Sequence, residues 1–120
     1  MKVYVYYNLH KQTFSVKALE GPQKGKVIAH RAEVWLKDVR PVVSLSGRHR
    51  VLREQRKRVH AGMVGEWIPP RGILKGDKLD KVTYNPYKYD SFVYTADESQ
   101  YTGSTVALLW QKQVWSIENV

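Results

Sequence analysis

Apolar and polar positions alternate with a period of two through much of this chain, the signature of half-buried strands. The opening segment VYVYYN is β-branched and aromatic on both faces, and residues 13–19 (TFSVKAL) set Phe14, Val16 and Ala18 against polar neighbours. Residues 8–12 between them read as a hairpin loop, and Gly21-Pro22-Gln23-Lys24-Gly25 as a second turn that delivers residues 26–30 as a third strand. Residues 33–43 (EVWLKDVRPVV) continue as strand, with Pro41 demanding an edge or a bulge because it cannot donate to a ladder.

Further along, MVGEWI (residues 63–68) is expected to pair back with this sheet. Residues 68–78, rich in Pro, Gly and Lys, form a long loop. Residues 82–84 and 91–95 read as two strands flanking a proline turn. Residues 105–117 (TVALLWQKQVWSI) fit either a helix or a hairpin broken at Gln111-Lys112-Gln113, and their β-branched and tryptophan content favours the hairpin.

One segment departs from the two-residue period. At about 100° per residue, Val51, Leu52, Gln55 and Val59 share one arc with Leu45 beside them, while His49, Arg50, Arg53, Arg56, Lys57 and His60 spread around the other side. Ser44 or Ser46 would cap its start and Gly62 its end. The expected fold is therefore α+β: a single domain over residues 1–120, with an antiparallel, strongly twisted sheet of about six to eight strands and one main basic amphipathic helix at about 46–61.

Charge gives that segment its interest. Residues 48–58 (RHRVLREQRKR) carry six of the twenty Lys and Arg side chains against one acid, Glu54, which is +5 of a formal net charge of +9. A solvated face is the bland account, and cations near a helix C-terminus explain part of the run. Arg48, Arg50 and Arg53 fall outside that explanation, so a polyanionic partner is the expectation, with Arg48, His49, Arg50, Arg53, Arg56, Lys57 and His60 as contacts. Arg58 is assigned instead to a local pair with Glu54.

Aromatic residues add a second signal. Tyr87 and Tyr89, beside Pro86 and around Lys88, are candidates to stack on bases while the lysine meets phosphate. Tyr84 and Tyr94 are expected in hairpin or core packing, and Trp35, Trp110 and Trp115 in the core.

Composition removes several chemistries. Cysteine is absent, which excludes disulfides, thiolate catalysis and thiolate zinc sites and fits a reducing compartment. No apolar run approaches membrane-spanning length and the opening residues lack a signal peptide's apolar core, so a cytosolic protein without membrane contact is expected. No phosphate loop, dinucleotide fingerprint or nucleophile elbow occurs. The four histidines, His10, His30, His49 and His60, stand in no metal-ligating spacing, and the carboxylates form no cation-holding motif. No cofactor, metal or catalytic residue is expected. A metal-independent ribonuclease built on His49 or His60 beside Arg53 and Arg56 is a further alternative.

The opening MKVYVYYNLHKQTFSVKALEGPQKGKVIAH, the stretch GRHRVLREQRKRVHAGMVG and the later VTYNPYKYDSFV resemble a family of small proteins from tailed bacteriophages. The resemblance carries no activity or catalytic residues. It implies an accessory protein made in the cytoplasm of an infected bacterium, where host nucleic acid, nucleoprotein complexes and defence systems are the available targets. Two functions follow: nucleic-acid binding through residues 48–60, or inhibition of a host protein or nucleoprotein complex as an anti-defence or host-takeover factor. A +9 charge argues against DNA mimicry, which relies on acidic surfaces. A homodimer is permitted, and nothing specifies one.

Overall fold

A computed structural model describes residues 1–8, 10–43, 61–85 and 91–119. Among them the protein is all β: nine strands form one antiparallel sheet. In chain order the strands are β1 (Lys2–Asn8), β2 (Thr13–Ala18), β3 (Val27–Arg31), β4 (Glu33–Val43), β5 (Ala61–Ile68), β6 (Asp77–Asn85), β7 (Ser91–Tyr94), β8 (Ser104–Trp110) and β9 (Gln113–Asn119). Their spatial order is β3-β2-β1-β5-β4-β8-β9-β6-β7.

The α+β expectation is thus corrected, and the strand count exceeds the six to eight expected. No helix occurs among the described residues, and Ala61, assigned to the end of the helix, is the first residue of β5, paired with Val43. Gly62, read as the helix stop, lies inside β5 opposite Tyr6. Residues 46–60 themselves lie outside the described residues. Strand pairing takes over where the segment re-enters the described residues, and the buried apolar residues found among those come from the strands and from Tyr101.

Two-residue alternation decides which side of the sheet is buried. In β1, Val3, Val5 and Tyr7 point inward while Tyr4 and Tyr6 point to the outer face, and β2 turns Phe14, Val16 and Ala18 inward in register with them. The sheet curls until these side chains share one core with Val82, Tyr84, Phe92 and Leu109 from strands at its other end. A smaller cluster of Trp35, Leu108 and Ile117 sits on the opposite face, with Trp115 half-buried beside it.

The bend that permits this curl lies in β4. Its register shifts between Lys37 and Arg40, where Asp38 adopts a positive φ of 53°, and its pairing with β8 stops at Val39. Beyond that point β4 pairs with β5 alone, so Pro41 occupies an edge just past a bulge and leaves no donor missing. The ambiguous C-terminal segment is a hairpin: Trp110 pairs with Gln113 across Gln111 and Lys112, whose positive φ values of 51° and 64° match a two-residue type I′ turn.

Between β5 and β6 the chain runs from Pro69 to Gly76 across three intervening strands. It is pinned at its far end. Arg71 donates through Nη1 and Nη2 to the two carboxylate oxygens of Asp77 at 3.0 and 3.1 Å, and the Leu74 amide donates to Asp77 Oδ2 at 2.7 Å. Ile73 and Leu74 are left 59% and 50% exposed at its tip.

The Asp77 carboxyl is held below the usual carboxylate range, chiefly by the Arg71 hydrogen bonds and further by the Leu74 amide. A depressed folded-state pKa stabilises the fold above the unfolded value of ~3.9 and loses that contribution as pH falls through the folded one. Asp77→Asn should therefore lower the melting temperature near neutral pH, and the gap from the wild type should close below about pH 4. Melting curves recorded by circular dichroism across that range check it.

Candidate functional site

The residues expected to contact a polyanion, Arg48, His49, Arg50, Arg53, Arg56, Lys57 and His60, lie outside the described residues, as do Tyr87, Lys88 and Tyr89. The structure does place their attachment points. Residues 44–60 join Val43 of β4 to Ala61 of β5, which are register partners, so the basic run leaves and re-enters the sheet at one spot. Residues 86–90 likewise join Asn85 to its partner Ser91.

Beside the first attachment point the outer face holds a groove of about 540 Å³, lined among the described residues by Tyr4, Tyr6, Lys17, Leu19, Gly25, Val27, Val42 and Val64. Strand register explains why these residues meet. Val27, Lys17, Tyr4, Val64 and Arg40 form one continuous cross-strand row, and His30, Ser15, Tyr6, Gly62 and Val42 form the next. Both rows face outward because the intervening Val5 and Val16 are inside. The Tyr4 and Tyr6 rings lie 5.7 Å apart at an interplanar angle of 30°.

Gly62 makes that aromatic pair possible. A Cβ at this position would run into the Val5 carbonyl oxygen and come within 3.0 Å of the Tyr4 ring. The ring of Tyr4 thus covers backbone that only glycine leaves bare. Burial, with Tyr6 adding to it, pushes the Tyr4 hydroxyl up to about 12, so this phenol is neutral and serves as a hydrogen-bonding apolar ring at physiological pH.

Cations flank the groove. Lys17 is half-exposed on its wall, Arg40 is exposed at the end of the same row, and Lys2 and Lys37 are exposed on the same face of β1 and β4. Arg31 lies on the other face, in register with Phe14, its guanidinium 5.9 Å from the centre of the Trp67 ring. His30 is tied down: its Nδ1 shares a 3.0 Å hydrogen bond with Ser15 Oγ, which also accepts from Asn8 Nδ2 at 3.2 Å. Ser15 is fully buried, so this pair orients the edge strand and offers no accessible nucleophile.

The sequence pattern showed aromatics on both faces of the first strand but did not single out Tyr4 and Tyr6 as site residues. Their signal lay in VYVYYN itself, where one alternate set must face away from the core. Trp110 corrects the sequence expectation in the other direction: it is 41% exposed. Trp35 is buried as expected, Tyr84 is buried and Tyr94 half-buried. Among the described residues no group of three His, Cys, Asp or Glu could hold a metal ion, and no helix is long and apolar enough to cross a membrane.

Fold and surface together define a small basic protein whose described residues form one antiparallel sheet and whose cationic run is attached beside an aromatic groove. Comparison with known proteins then gives its lineage. Residues 1–117 match the family model described as Mycobacterium phage L5 gene 82 protein, and the chain belongs to that family. The gene 82 protein of Mycobacterium phage L5 is 42% identical over 111 residues, covering 87% of this chain and 86% of that protein. The expected resemblance to bacteriophage proteins holds. No solved structure matches the chain.

Proposed function

We propose that this phage protein binds nucleic acid without acting on it chemically, gripping phosphates with residues 48–60 and laying part of the strand along the outer-face groove. The observation that carries the reading is the insertion of a +5 run between the paired residues Val43 and Ala61, directly beside a groove lined by Tyr4, Tyr6 and Lys17. Arg48, His49, Arg50, Arg53, Arg56, Lys57 and His60 are the assigned phosphate contacts, and Tyr87, Lys88 and Tyr89 extend the surface. Aromatic rings on a sheet face with cations at its rim are the recurring chemistry of single-strand recognition.

Purification with and without nuclease tests this directly. The protein should carry nucleic acid through low-salt purification, visible as a raised ratio of absorbance at 260 nm to that at 280 nm. Nuclease or high salt should remove it. A protein that is free of nucleic acid from the first low-salt step, and binds none when it is added back, contradicts the reading.

A second reading, inhibition of a host protein or nucleoprotein complex, is favoured by one observation: the exposed Ile73–Leu74 pair on a loop pinned by Arg71 and Asp77. An apolar tip held in place suits a protein pocket. It predicts a stoichiometric protein partner that survives nuclease treatment and is lost on Ile73→Asp.

A further inference from the structure

A second recess lies away from the groove, where two hairpins meet. It measures about 200 Å³ and is lined by Tyr7, Gln12, Thr13 and Phe14 from the β1–β2 hairpin, Ala32 from the β3–β4 connection, and Trp110, Gln111 and Lys112 from the β8–β9 hairpin. Three features set it apart from ordinary surface relief.

The first is a pair of orphan hydroxyls. Tyr7 is 7% exposed, and its OH, like the Oγ1 of Thr13, is buried with no hydrogen-bond partner. A buried polar group left unpaired is costly, so two of them on residues that line one small recess mark a place where a partner is missing. Tyr7 also lines a tight adjoining interior space with Phe14, Lys112 and Tyr84.

The second feature is Trp110, the largest exposed aromatic of the described core strands, standing at the rim with its neighbours Gln111 and Lys112. The third is the donor set: two carboxamides, Gln12 and Gln111, able to donate and accept, and one ammonium, Lys112. A π-face, amide edges, two hydroxyls and a cation together match a planar heterocycle that bears hydrogen-bonding edges and is linked to phosphate. The volume is below the range of about 300–1,000 Å³ typical of drug-sized ligands, which suits one ring system and not a larger molecule.

We infer that this recess is a nucleobase subsite, in which an unpaired base stacks on Trp110 and engages the Tyr7 and Thr13 hydroxyls while Lys112 meets its phosphate. The inference rests on the nucleic-acid reading above and sharpens it to single strands, because a base held in a duplex presents no free face to the tryptophan. Gln12 and Gln111 read the base edge. Since every base has a π-face, the subsite tolerates many sequences.

Fluorescence anisotropy with a labelled single strand of about 12 nucleotides, and with the same strand annealed to its complement, tests this. The wild type should prefer the single strand. Trp110→Ala should weaken single-strand binding by about 5- to 140-fold and leave duplex binding unchanged, with Trp110→Phe recovering part of the loss. Tyr7→Phe should weaken single-strand binding by about 2- to 12-fold without lowering the melting temperature of the free protein, because the hydroxyl it removes makes no bond there.

Single-strand affinity that is indifferent to Trp110→Ala, in a protein that still loses binding on reversal of Arg53 and Arg56, overturns the subsite and leaves the nucleic-acid reading standing. A fall in the melting temperature of Tyr7→Phe with affinity intact assigns the hydroxyl a structural role and also overturns it. Absence of all oligonucleotide binding by the wild type at low salt overturns both.

Discussion

Replacing Arg53 and Arg56 together by glutamate should abolish nucleic-acid binding, a fall in affinity of at least about 100-fold at moderate salt. The two reversals take residues 48–58 from +5 to +1 and place two acids where phosphates would approach. For every phosphate that is no longer neutralised, the salt dependence should also flatten by about one unit of log–log slope. The expectation is specific to position: the same double reversal at Lys75 and Lys78, exposed residues just before β6 and at its start that line neither the groove nor the recess, should weaken binding only slightly through the change in net charge. Fluorescence anisotropy on wild type and both double variants separates a docking surface from bulk charge. Neither reversal touches the backbone pairing of Val43 with Ala61 that anchors the segment, and the melting temperature should be nearly unchanged in both variants.

The second large effect is on stability. Gly62→Ala should destabilise the fold by about 3 kcal/mol, near the upper end of overpacking costs, and lower the melting temperature by about 10 °C or more. The added methyl meets the Val5 carbonyl and the Tyr4 ring, so either the β1–β5 ladder opens or the tyrosine swings away. Backbone cannot yield as a flexible side chain does. The Tyr4–Tyr6 pair is disrupted in either case, which couples this variant to function: whatever protein remains folded should bind single strands more weakly. Tyr4→Ala relieves the ring clash alone, so the double variant Gly62→Ala/Tyr4→Ala should remain destabilised by the clash with Val5. Chemical denaturation of the three variants distinguishes the backbone and ring contributions.

Much of the sheet could be read from local pattern. Alternation in VYVYYN and TFSVKAL located β1 and β2, Gly21 and Gly25 marked the turn after them, and Pro41 announced an edge segment that the structure places just after the bulge at Asp38. The segment from 105 to 117 resolved to a hairpin because β-branched and tryptophan residues outweighed an accidental helical spacing. Partner choice was not readable. The pairings β1–β5, β4–β8 and β6–β9 join strands far apart in the chain, and alternation tells which face a side chain occupies without telling which strand lies beside it.

The helix at about 46–61 failed at the one point where it can be checked. Ala61 and Gly62 belong to β5, and the glycine that looked like a helix stop is there to admit the Tyr4 ring against bare backbone. A glycine after an apolar repeat has two physical explanations, a positive φ or a close approach, and only the packing decides between them. At the candidate site, charge and its clustering were legible because they are properties of composition. The groove and the recess were not, since Lys17, Tyr4 and Val42, or Gln12, Thr13 and Lys112, become neighbours only through register and curl. Trp110 was placed in the core on residue type alone, and the two-residue turn that follows it leaves it at the rim.

Salt dependence measures most directly whether residues 48–60 neutralise phosphates. Engagement of about four to six phosphates predicts that the logarithm of the association constant falls linearly with the logarithm of salt concentration, with a slope of roughly −3 to −5. A slope near zero, with binding unchanged from low to moderate salt, would contradict it.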